Sequence, residues 1–180
     1  MDDHSTQFSL SLWDYALILY ARPGVAKACL ALQDDHGADV CELLWLCWLN
    51  RLDLTTDANA AATLAPIRHQ QAALTRLLRE RRRELKPHAQ PDSSLAQWRK
   101  TIKNAELAAE QGTLMQLQAL AEHGRGVRSL RHNDAPLITR LVGHLGCHDS
   151  TISGHLRVLV AQSHTDSIEH SGAGPLEPRP

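Results

Sequence analysis

A row of arginines is the feature of this chain best placed to do chemistry. Arg76, Arg79, Arg83 and Lys86 are spaced so that on a helix they share one face, and Arg82 widens it. Guanidinium groups in such a row suit the phosphates of RNA or DNA, or the carboxylates of an acidic protein groove. Glu80 and Glu84 interleave with them, so the row also reads as a solvated helix face with local ion pairs. No aromatic residue falls among these arginines, which weakens single-strand binding by stacking. The opposite charge lies upstream: Asp2, Asp3, Asp14, Asp34, Asp35, Asp39, Glu42, Asp53 and Asp57 stand against Arg22, Lys27 and Arg51. Such a split fits two faces that attract each other or a partner, and equally two solvated helix faces of opposite sign.

Two further groups could bind. Trp13, Tyr20, Gln33, Trp45 and Trp48, with Asp34, combine aromatic bodies with polar ends, as pockets for flat polar ligands do. The same side chains also suit the core of a domain built from short helices. Residues 138–157 fit a helix-turn-helix template with Gly146 in the turn, which would set Ser150, Thr151, Ser153, His155 and Arg157 toward a DNA groove. Val142 at the helix crossing, Gly154 inside the second helix and the lack of a following wing count against that template.

Catalytic signals are absent. There is no nucleophile elbow, phosphate-binding loop or glycine-rich nucleotide fingerprint, and Asp34-Asp35 do not form an acid–base pair. His144, Cys147, His148 and His155 are close in sequence but lack paired zinc-ligand spacing. No catalytic residue, metal or cofactor is therefore assigned, and the balance leans away from an enzyme.

Composition bounds the setting. A chain of 180 residues, 43% hydrophobic, supports one core with tails. A net charge of −1 argues against bulk attraction to nucleic acid or membrane. Cys29, Cys41, Cys47 and Cys147 form no CxxC pair, the start MDDHSTQF is acidic, and the longest apolar run is too short to span a bilayer. A cytoplasmic protein is expected.

The elements that must position these groups are helical. Leu12, Tyr15, Ala16, Leu19 and Tyr20 follow helical spacing behind Ser9 or Ser11, and Pro23-Gly24 ends that helix. A second helix runs from about Val25 to His36 and stops at Gly37. Asp39 with Glu42 reads as a capping box for a third, Val40–Leu52, apolar nearly all round and hence central. After a polar joint at 55–63, Leu64, Ile67, Leu74, Leu78 and Leu85 mark a fourth helix with Pro66 in its first turn. Asp92, Ser93 or Ser94 caps a fifth, with Leu95, Trp98, Ile102, Ala105 and Ala109 facing inward. Residues 124–134 read as loop, followed by short helices at Ala135–Leu145 and Thr151–Ala161; no strand is signalled.

The pattern W-D-Y-A-x3-Y-A-R-P-G-V at Trp13–Val25 continues as C-L-x-L-Q-D-x-x-G-x-D-V at Cys29–Val40 and L-L-W-x-C-W-L at Leu43–Leu49. With L-R-x-x-R-R-x-L-K at Leu78–Lys86 and E-L-A-A-E at Glu106–Glu110, it resembles an uncharacterised bacterial family, domain of unknown function 2390, over about residues 8–123. The resemblance implies a cytosolic, all-helical bacterial protein and supplies no catalytic residues.

The expectation is thus an all-α bundle. A disordered N-terminus (1–7) leads into a helical domain (8–123): a three-helix head over about 8–52 and an antiparallel hairpin over about 60–123. A loosely attached helical segment (124–162) and a disordered tail (163–180) follow. The leading functional reading is a non-enzymatic interaction or adaptor module engaging an unidentified protein through the arginine helix. A helix-turn-helix DNA-binding regulator and a small-molecule binder with a Trp-lined pocket are the alternatives.

Overall fold

The computed structural model describes residues 10–146 and 149–164. The expected disordered ends, and Cys147 and His148, lie wholly or largely outside them. The order is α1 (Leu12–Tyr20), α2 (Val25–His36), α3 (Val40–Arg51), β1 (Leu54–Thr56), α4 (Ala60–Leu85), α5 (Ser94–Glu122), β2 (Val127–Ser129), α6 (Leu137–Leu145) and α7 (Ser150–Ser163). The class is all-α, as the sequence implies. Among the described residues no single helix is long and apolar enough to cross a membrane.

The head is built around α3, whose residues from Cys41 to Leu49 are all buried. An element apolar on every side must be covered on every side, and α1, α2, α5, α6 and α7 all pack on it. Trp45 and Trp48 are fully enclosed, and the Trp48 indole Nε1–H donates to the Leu10 carbonyl at 3.1 Å. Ser11 caps α1 and Gly37 closes α2 in the left-handed conformation, as read from the sequence.

The hairpin is two long antiparallel helices joined by residues 86–93, with Ser93 as the cap of α5. Its inner end is docked by apolar contacts: Leu114, Leu117, Leu120 and Ala121 of α5 and Leu64 and Ile67 of α4 are buried. The Gln118 side chain also accepts the Leu12 backbone N–H at 2.8 Å, satisfying a donor that α1 leaves open. α4 begins at Ala60, so Pro66 lies inside the helix rather than in its first turn. Pro66 is exposed there, as is Ala62, whose carbonyl loses its intrahelical donor.

Two features depart from the sequence reading. First, β1 and β2 form an antiparallel ribbon pairing Leu54 with Ser129, Thr55 with Arg128 and Thr56 with Val127. Strands of three residues have no room for a period-2 signal, so the polar joint and the loop concealed them. Gly126, at φ +71°, lets the ribbon pass over α4, since a Cβ there would lie 3.2 Å from the Ala60 Cα. Second, the closing helices are integral. Leu137, Leu141, Ile152, Leu156 and Leu159 are buried, and α7 is the principal cover of α2. Their attachment is firm where a loose one was expected.

Candidate functional site

One carboxylate stands alone in the apolar run of α3. Glu42 is 2% exposed, yet it meets groups from two other segments. Arg68 of α4 donates from Nε and Nη2 to its two oxygens, each at 2.7 Å. His144 of α6 brings Nε2 within 2.6 Å of Oε2. Burial pushes this carboxyl up, but the hydrogen bonds and charges of Arg68 and His144 outweigh it and hold it down at about 2. Glu42 is therefore an anion across the neutral range, a tie between segments and no proton donor. This corrects the capping-box reading: Asp39 does accept the Glu42 backbone N–H at 3.1 Å, but the Glu42 side chain turns away to Arg68 and His144.

Glu42 forms part of the wall of a cleft of about 460 Å³ between α4 and the head. The head side is the end of α2 and the start of α3; the opposing wall is one stripe of α4 that includes Arg68, Gln71, Thr75, Arg76 and Arg79. Polar side chains cross the gap. Gln71 donates to Asp39 Oδ1 at 3.3 Å. The Gln33 amide oxygen, suitably oriented, accepts from Arg79 at 2.8 and 3.0 Å. Burial pushes the Asp39 carboxyl up, and it has no ion-pair partner among the described residues.

The arginine row is divided between tasks. Arg79 donates to Glu106 at 2.9 Å and Glu110 at 3.0 Å, and Arg82 donates to Glu106 at 2.6 Å. Arg83 pairs with Asp34 of α2. Three of the five cations thus find acidic partners inside this chain. Arg76 and Lys86 are exposed, and Arg76 forms no ion pair or side-chain hydrogen bond among the described residues. Glu106 is 6% exposed; burial raises its carboxyl, and Arg82 and Arg79 reverse the shift to below the usual range.

That acid explains a second correction. The inward stripe of α5 runs through Arg99, Ile102, Glu106, Ala109 and Thr113, one position away from the expected Trp98 and Ala105. A purely apolar criterion places Glu106 outside, whereas the arginines of α4 draw it in. Trp98 is consequently 66% exposed and Leu95 38% exposed near the outer end of the hairpin.

The other candidate residues are scattered. Trp45 and Trp48 are core, Trp13 packs partly buried against it, Tyr20 is 36% exposed, and only Gln33 of that group lines the cleft. Ser150, Thr151 and Arg157 are exposed on α7, while Ser153 and His155 are half-buried; Gly146 ends α6 at φ 63° before α7 begins. Among the described residues no three His, Cys, Asp or Glu side chains gather as metal ligands. Cys29, Cys41 and Cys47 are free and buried, and burial pushes each thiol up, away from nucleophilic use. Sequence reasoning missed Glu42, Arg68, Gln71 and His144 as a group. The available signal was a lone carboxylate in a helix otherwise apolar on all sides.

No curated protein and no solved structure matches the chain. The family model described as a protein of unknown function, DUF2390, matches residues 11–117, which span the head and nearly all of the hairpin. The chain belongs to the DUF2390 family.

Proposed function

We propose that the protein is a cytoplasmic, non-enzymatic interaction module that engages an acidic partner protein through the outer end of the α4–α5 hairpin. One observation carries this reading: Trp98, alone among the four tryptophans, is exposed, at 66%, and it lies in a basic stretch of the chain. Leu95 precedes it by one helical turn and shares its face. Residues 81–103 hold Arg81, Arg82, Arg83, Lys86, Arg99, Lys100 and Lys103 against only Glu84 and Asp92. An exposed tryptophan in a cation-rich stretch of the chain, with Lys86, Lys100 and Lys103 exposed, fits a partner that offers an apolar pocket edged by carboxylates. Of the arginine row, Lys86 contributes directly, whereas Arg79 and Arg82 brace the hairpin from within and Arg83 ties it to Asp34 of the head.

The test is affinity capture with the wild-type chain and with variants W98A and K100E/K103E, with and without nuclease. The expected result is an acidic protein captured by the wild type, lost with either variant and insensitive to nuclease. Capture unchanged by both variants would overturn the reading. Capture abolished by nuclease would replace the protein partner with nucleic acid.

A second reading, DNA contact through Ser150, Thr151, Ser153, His155 and Arg157, draws support from the turn at Gly146 and the exposed first turn of α7. Duplex binding lost on Arg157→Ser and retained in W98A would favour it over the first.

A further inference from the structure

The cleft between α4 and the head has an unbalanced inventory. Two of its acids are matched by cations in the same chain: Glu42 by Arg68, with His144 hydrogen-bonded beside it, and Glu110 by Arg79. Two charged groups remain. Asp39, on the head wall, caps α3 and touches Gln71 but has no cation; Arg76, on the α4 wall, has no anion among the described residues. They are opposite in sign and stand on opposing walls of one cavity. His36 lines the same cleft, and its Nε2 is buried without a hydrogen-bond partner among the described residues. Buried polar atoms are nearly always satisfied, so this nitrogen has hydrogen-bonding capacity to spare. Ala38, Val40, Ala72 and Leu145 give the lining an apolar part. At about 460 Å³ the cavity lies within the range of small-molecule sites.

We propose that this cleft binds a zwitterionic ligand of amino-acid chemistry, its carboxylate on Arg76 and its ammonium on Asp39. The guanidinium presents a fork that matches a carboxylate bidentately. The Asp39 carboxylate already accepts from neutral donors, and an ammonium supplies the charge it lacks. The side chain of the ligand lies against the apolar part of the lining. The site does not depend on the hairpin tip: Trp98 is not among its lining residues.

The experiment measures thermal shift and calorimetric titration of the full chain with the free L-amino acids. Each is paired with its decarboxylated amine and its deaminated acid. At least one amino acid is expected to raise the melting temperature saturably, with affinity falling about tenfold or more when either charged end is removed. Arg76→Gln and Asp39→Asn are each expected to weaken binding by about tenfold or more. The unliganded melting temperature should hold, because Arg76 is exposed and Asn caps a helix as well as Asp. W98A should bind the amino acid as the wild type does, which separates this site from the partner surface. No shift with any amino acid would overturn the proposal, as would equal affinity for the amine or the acid alone, or unchanged binding by R76Q and D39N.

Discussion

The head and the outer hairpin are both helical, yet they are held together by different forces. In the head, Trp45, Trp48 and a shell of leucines exclude water completely. Along the hairpin, Glu106 and Glu110 of one helix clasp Arg79 and Arg82 of the other, and the faces left over carry exposed Trp98, Leu74 and Leu77. Two helices alone enclose only one narrow stripe, so ion pairs supplement what apolar area cannot supply. The lesson is that equivalent residue types have opposite meanings in the two regions. Tryptophan is structure in the head and surface on the hairpin; carboxylate is surface in most of the head, whereas Glu106 and Glu110 are structure on the hairpin.

The sharpest test of that contrast compares two tryptophans. Trp48→Ala removes a wholly buried side chain and is expected to cost about 4 kcal/mol in denaturant unfolding. Trp98→Ala should change stability by no more than about 0.5 kcal/mol. Similar losses at the two sites would abolish the distinction.

Glu42 is the ionic exception inside the head. Glu42→Gln is expected to cost about 2 kcal/mol, because Arg68 and His144 lose the charge they surround. Its pH dependence has a definite sign. A carboxyl lowered from 4.5 to about 2 contributes stability that is full above its unfolded value and lost as pH falls through about 2. The E42Q chain should therefore show a flatter loss of stability between those limits. Asp39 and Glu110, both raised by burial, act in the opposite sense, their penalty being relieved on protonation. An identical acid profile in E42Q and wild type would remove Glu42 from its role as a tie.

The smallest effects lie on the hairpin. Glu106→Gln breaks contacts to two arginines and should cost about 1 kcal/mol, with faster amide exchange confined to the outer turns of α4 and α5. Arg81→Gln removes only an exposed pair with Glu84, both side chains being about 60% exposed, and should cost at most about 0.5 kcal/mol. Equal effects would mean that the buried clasp is no stronger than a surface pair.

How much was legible follows the same division. The helices of the head were readable because Ser11, Gly37 and Asp39 set their ends and α3 is apolar without interruption. The inward face of α5 was not, because its central residue is Glu106, whose burial depends on arginines 24 and 27 positions away. The Glu42 tie was hidden similarly: the D-x-x-E pattern offered a local use for that carboxylate, and His144 lies 102 residues off. Local patterns report local partners, and both sites are built from distant ones. The arginines stand out for their charge, while Glu106 and Glu110, the acids that claim two of them, figure in the sequence only as ends of the E-L-A-A-E motif.

The covering of α2 by α7 has a consequence in time. Val25, Cys29 and Leu32 are made early, but much of their cover arrives only with Ile152, Leu156 and Leu159. Arg22 likewise waits for the Gln162 carbonyl, 140 residues later. Helical proteins usually fold fast because their contacts are near in sequence; here α2 is completed by a helix from the far end of the described residues. During synthesis the head stands open on one side, an apolar face awaiting its lid, and a ribosome that stalls before α7 leaves that face bare to chaperones and proteases.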